Sequence, residues 1–167
     1  MRSWTKADGL GVLVQGPWDI AGLALGESHI VWTGVHGPMT LYGIYESAEL
    51  YWSPAATTPS GIAITQGPDL TGKLSAEVPM ATAGDYVALS TGGDPETPTG
   101  PGTIVVQLST EKQWFIPARP GTRMFLAGMS ESEILVMESD QDPSYFLRWL
   151  RFDIAELDSL AVGWGEP

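Results

Sequence analysis

The chain has 167 residues, enough for one ordinary domain, and its 43 % hydrophobic and 10 % aromatic content can pack a core, which excludes wholesale disorder. A net charge of -12 repels phosphate, and without a basic stripe to release counterions the composition excludes nucleic acid as a partner. The absence of cysteine excludes disulfides, thiolate metal sites and cysteine catalysis.

The charge is unevenly laid out: no lysine or arginine lies between Lys6 and Lys73. The start, "MRSWTKADGLGVLVQG", has neither a continuous apolar stretch nor a cleavage-site pattern, and no later run is long enough to span a bilayer. A cytoplasmic protein with no membrane partner is expected.

The 20 glycines and 13 prolines are spread between apolar runs, the pattern of many turns between short strands. After an N-terminal extension over 1–10, enrichment in Val, Ile, Tyr and Trp between turn residues predicts strands at 11–16, 19–25, 29–34, 38–46, 49–53 and 61–66. Further strands are predicted at 76–82, 85–91, 102–109, 112–117, 122–129 and 133–138. Residues 53–61 and 92–102 are loops by composition. The C-terminal stretch pulls two ways. Leu147, Leu150, Ile154, Leu157 and Leu160 follow a helical period, and Asp142 before Pro143 would make an N-cap with proline at the first helical position.

Internal repetition favours strands there instead. "HIVWTGVHG", "DYVALSTGGD" and "SEILVMESDQD" occupy the same place in three units, "DIAGLALGESHIVWTG", "EVPMATAGDYVALSTG" and "RMFLAGMSESEILVMESD". Each is a strand, a polar turn and a second strand. The segments C-terminal to these units are also alike: "MTLYGIYESAELYWSPA", "TIVVQLSTEKQWFIPA" and "FLRWLRFDIAELDSLAV". The repeat is four antiparallel strands over about forty to fifty residues, the period of a propeller blade. This frame predicts a hairpin of strands at 145–153 and 156–162, and leaves the strand at 61–66 without a slot.

On these repeats the chain resembles the β-propeller superfamily, in particular its TolB-type, quinoprotein and WD-repeat members, over roughly residues 11 to 164. It has neither a Gly-His…Trp-Asp pair nor a Ser-Pro-Asp-Gly turn. The resemblance implies an all-β fold: a single propeller-like domain over 11–167 with about three four-stranded blades. Propellers close with four to eight blades. Three blades leave two open flanks, each with a face suited to packing on a neighbour. Either a second copy or the rest of a longer chain would cover them; the expected resolution is a half-propeller completed by a second copy as a two-fold homodimer.

Chemical motifs are sparse. "GMSES" at 128–132 lacks the second glycine of a nucleophile elbow, so Ser130 reads as a turn serine; no Walker loop or dinucleotide fingerprint occurs. His29 and His36 are seven apart and would face opposite sides of one strand. No metal site or cofactor is expected from them. The acids Glu138, Asp140 and Asp142 read as one turn, with Asp94 and Glu96 in the corresponding turn of the second repeat. Oxygen-rich loops suit calcium, yet the spacing with a glycine hinge is absent. Among the aromatics, Trp32, Tyr42, Tyr45, Tyr51, Trp52, Trp114 and Trp149, most should be core and one or two should lie at a blade edge.

The expected function is a non-catalytic binding or scaffolding module, with no catalytic residue assigned. Its protein or carbohydrate ligand would meet the turns at 34–38, 92–102 and 139–144, and the candidate contacts are Trp32, His36, Asp94, Glu96, Glu138, Asp140 and Asp142. The rivals are a lectin-like propeller and a hydrolase or lyase with acids such as Asp94 and Asp140 in the ring channel.

Overall fold

A computed structural model of the chain describes residues 2–5, 9–12, 19–39, 45–54, 64–70, 79–91, 100–140 and 145–160. Strands β1 (Arg2–Thr5) and β2 (Gly9–Val12) pair as a hairpin. Strands β3 (Asp19–Leu25), β4 (His29–Met39), β5 (Tyr45–Pro54) and β6 (Thr65–Asp69) form a four-stranded antiparallel meander. A second is made by β7 (Met80–Ala83), β8 (Tyr86–Ser90), β9 (Gly102–Gln107) and β10 (Gln113–Pro117). The third sheet has three strands, β11 (Thr122–Met129), β12 (Glu133–Asp140) and β13 (Phe146–Asp153). A 3-10 turn at Ile154–Glu156 and one helical turn, α1 (Leu157–Leu160), come after it. The described fold is all-β, as expected.

The three meanders stack face to face. One core joins the first sheet to the second through Val31, Val35, Leu50 and Trp52 against Val87, Leu89, Ile104 and Val106. The other joins the second to the third through Ala88, Val105, Trp114 and Ile116 against Met124, Ile134 and Val136. Successive residues of a strand point to opposite faces. A strand covered on both sides must therefore be apolar without alternation, and "YVALS" and "GTIVVQ" in the middle sheet are. The first strands of the sheets lie side by side, β7 touching both β3 and β11. Polar contacts also join neighbouring sheets. Ser28 Oγ donates to the Gly84 carbonyl at 3.2 Å, and the Leu126 N–H donates to Ser90 Oγ at 2.7 Å.

Turn chemistry sets the middle sheet's register. Ala83 pairs with Tyr86, so Gly84 and Asp85 alone make the β7–β8 turn, with Gly84 at φ +53°. A first turn residue of positive φ suits a glycine hairpin. The Asp85 carboxylate then accepts from Ser109 N (3.0 Å), Ser109 Oγ (2.5 Å) and Gln107 Nε2 (3.0 Å), tying this turn to the one between β9 and β10. At the far end of β9, a Cβ on Gly102 would lie 2.4 Å from Phe115 Cε2 and 2.5 Å from the Ile116 carbonyl. Gly102→Ala is expected to destabilise the protein by about 1–3 kcal/mol through overpacking, measured as a lower urea midpoint; an unchanged midpoint would refute the close approach.

Each repeated phrase supplies the second strand of its sheet, as expected, but several boundaries differ. The chain does not stop at Gly34: β4 runs to Met39, with Gly37 at φ +78° and a register shift between His36 and Met39. The turn expected at 34–38 is thus strand; the strand expected at 49–53 lies within β5, and of that expected at 38–46 the ends belong to β4 and β5 while 40–44 lie outside the described residues. The strand expected at 61–66 has a slot after all: 61–63 lie outside the described residues, and its end at 65–66 belongs to β6. Glycine and proline are tolerated there because β6 is an edge that needs no further N–H donor, and because the Trp52 ring would lie 2.1 Å from a Cβ on Gly67. The segment expected as an extension contributes β1 and the first half of β2, and the strand expected at 11–16 coincides with β2 at 11–12, while 13–16 lie outside the described residues.

The hairpin expected over 145–162 is half present. Residues 146–153 are strand, but 154–160 are helical, so the third sheet has no fourth strand at 156–160. Asp153 caps the turn by accepting from Ala155 N at 2.8 Å. Ile154 and Leu157 bury into the second core, and Asp158 accepts from Trp114 Nε1 (2.7 Å) and Lys112 Nζ (2.6 Å). Spacing of three buries that pair on one side, which an extended strand cannot do.

Candidate functional site

Strand β12 buries Ile134 and Val136 on the face toward the second sheet, and alternation puts Glu138 on that face next. A carboxylate in a core must be neutralised and hydrogen-bonded. Glu138 has no exposed surface, and its oxygens accept from Arg119 Nε and Nη2 (2.7 Å each), Arg148 Nε (2.7 Å) and Thr122 Oγ1 (3.1 Å). The Arg119 bonds, aided by those from Arg148 and Thr122, outweigh burial and hold the carboxyl at about 2, below its ordinary 4.5. The same bond raises the pKa of Arg119. Arg119 comes from the β10–β11 connection, and Arg148 is directly across from Glu138 on β13.

Beside this clamp a pocket of about 270 Å³ opens between the second and third sheets. Ile116 and Pro117 line one side, Met124, Leu150 and Phe152 the other, and Leu160 of α1 closes an end. Both arginines and Glu138 line it as well. The two arginine side chains are about half exposed, at 56 % and 49 %.

The other expected contacts do not gather here. Glu138 and Asp140 belong to β12 rather than to a turn, and only Asp140, at the strand's end, is exposed. Asp94, Glu96 and Asp142 lie outside the described residues, as do the turns at 92–99 and 141–144. Trp32 is fully buried on the opposite face of the first sheet from its core, stacked on Tyr51 at 5.7 Å and 12°. His36 is half-buried on that same face, and His29 falls on the other, as odd spacing in one strand requires. Trp32, Tyr51, Trp52 and Trp114 are buried and Trp149 is exposed; the side chains of Tyr42 and Tyr45 lie outside the described residues. Nothing in the sequence pattern singles out Arg119 and Arg148 directly. The signal for them is Glu138 itself, at the third position of the buried alternation Ile134, Val136, Glu138.

Two places at the ends of the stack carry exposed apolar side chains; on the first sheet they are confined to β3, since Trp32 of β4 and Tyr51 of β5 on the same outward face are buried. On the first sheet's outward side Ile20, Leu23 and Leu25 are 39 %, 44 % and 71 % exposed. On the third sheet's outward side Leu135, Phe146 and Trp149 are 41 %, 52 % and 56 % exposed, the last two rings 5.6 Å apart. The two faces differ in charge. The first has Glu49, a hydrogen-bond acceptor for the Tyr51 hydroxyl, and no lysine or arginine occurs in that sheet. The third has Arg123 and Arg151, the latter 3.4 Å from Glu133. Arg123 Nε is buried with no hydrogen-bond partner among the described residues.

Among the described residues no group of three His, Asp or Glu side chains is placed to hold a metal, and no helix is long and apolar enough to cross a membrane. No protein-family model matches the chain, and no curated protein matches it.

Proposed function

We propose that the chain is a non-catalytic scaffolding or binding module, a half-propeller whose ring of about six blades is completed by a second copy. The observation that carries this is the exposed apolar row of β3 at one end of the stack and the exposed apolar side chains of the third sheet's outward face at the other. "EILVME" and "DIAGLAL" are apolar on both faces, like the strands of the middle sheet, yet only one face of each is covered. Contiguous exposed apolar surface marks an interaction site. The side-by-side first strands suit blades fanning from a common axis, and a two-fold operation along that axis brings each first-sheet face onto a partner's third-sheet face. A face with Glu49 and no lysine or arginine then meets one that carries Arg123 and Arg151 beside Glu133 and Asp153, and an arginine opposite Glu49 would give the contact its direction.

Light scattering at micromolar concentration tests the reading. The expected mass is twice 17.9 kDa, with an interface of at least about 2,000 Å² in total, as obligate contacts have. A stable, folded monomer overturns it. One observation favours a second reading, carbohydrate binding: the exposed Trp149 and Phe146 rings offer a stacking platform. Quenching of tryptophan fluorescence by glycans that is lost in Trp149→Ala, with the mass unchanged, would select that reading.

A further inference from the structure

We propose that the pocket between the second and third sheets binds a small organic carboxylate with a branched or aromatic apolar body, its head on Arg119 and Arg148 and its body against Met124, Leu150, Phe152 and Leu160. This does not depend on the ring.

A purely structural clamp accounts for Glu138 but not for what surrounds it. A guanidinium carries five N–H donors. Arg119 uses two positions on Glu138 and Arg148 uses one, and no other partner engages either group among the described residues. Two cations share one anion, so the clamp keeps one positive charge in a protein whose net charge is -12. The shared carboxylate also orients both guanidiniums by their Nε edges, leaving their outer edges free. Planar, paired donors of this kind match a carboxylate.

Size narrows the occupant. The pocket's roughly 270 Å³ exceeds the ~150 Å³ that admits a benzene ring and falls just short of the ~300–1,000 Å³ of drug-sized sites. Its walls apart from the clamp are aliphatic or aromatic. An inorganic anion would leave those walls wet, and a neutral hydrocarbon would leave the donors unanswered. A ring or branched chain bearing one carboxylate satisfies both.

The test is a titration of the protein with benzoate and, separately, with benzamide, monitored by amide chemical shifts. Benzoate is expected to saturate, with the largest shifts at residues 116–124, 138 and 148–152, and to bind at least about tenfold more tightly than its neutral analogue. Arg148→Gln should remove that discrimination, and Leu160→Trp should fill the pocket and weaken both ligands. The Leu160 variant keeps the test valid where loss of Arg148 impairs folding. Equal binding of benzoate and benzamide, shifts scattered over other basic residues such as Lys112, or undiminished binding to the Leu160 variant would each overturn the proposal.

Discussion

Replacing Glu138 by glutamine is expected to remove about 2–3 kcal/mol of stability at neutral pH and almost none near pH 2. The folded carboxyl titrates at about 2 instead of 4.5, so between those values the unfolded chain binds a proton that the native protein does not. The contribution is full above about pH 4.5 and drains away as pH falls toward 2. A shift of this size corresponds to roughly 3 kcal/mol. The lower part of the range is the better guide, because both arginines are half exposed and partly screened. Urea unfolding of parent and variant across pH 2.5 to 7 measures the difference, which should shrink steadily on acidification. The double replacement Arg119→Gln with Arg148→Gln makes a sharper test. It leaves a fully buried carboxylate without a cation, which burial then penalises. That variant should be the least stable of the three at neutral pH, and acid should relieve it by neutralising Glu138. A double variant that loses stability toward acid with the parent's slope would show that the arginines do not hold the carboxylate.

The middle sheet was the most legible part of the chain, and the reason is physical. Its strands are covered on both faces, so their apolar runs are unbroken, and its hairpin turns announce themselves with Gly84 and with the polar residues from Ser109 to Lys112. The first sheet was harder because its strands survive their breakers. Gly37 and Pro38 sit at a register shift inside β4, and Gly67 and Pro68 sit on an edge strand, where a missing donor costs nothing. Repetition misled at the end of the third sheet. There Ile154 and Leu157 gain a core by helical spacing, and a repeat frame carries no information about which core lies beneath. The clamp was half legible. Glu138 stood out as an acid, but its partners are 19 and 10 residues away and reach it only through the β10–β11 connection and the β12–β13 pairing. Reading it as part of a turn hid the alternation that makes it a core residue.

Leu25→Glu and Trp149→Glu, each made alone, are expected to weaken self-association at least about 100-fold, equivalent to roughly 3 kcal/mol. Both side chains are more than half exposed in the single chain, so neither change should cost much folding stability, and the loss should show in mass rather than in melting of the monomer. The decisive measurement is the mixture. In a two-fold ring closed by unlike faces there are two equivalent contacts, and each uses the first sheet of one copy and the third sheet of the other. One copy carrying Leu25→Glu and another carrying Trp149→Glu can therefore still form one undamaged contact, from the intact third sheet of the former and the intact first sheet of the latter. Mixing the two monomeric variants should restore a species of twice the chain mass, held by half of the original interface and dissociating more readily than the parent. Contacts between like faces behave differently. If first sheets paired with first sheets, Trp149→Glu would leave the dimer untouched; if third sheets paired with third sheets, Leu25→Glu would. A mixture that stays monomeric even at concentrations well above those that dimerise the parent would count against contact between unlike faces, because the undamaged pair of faces is present in it.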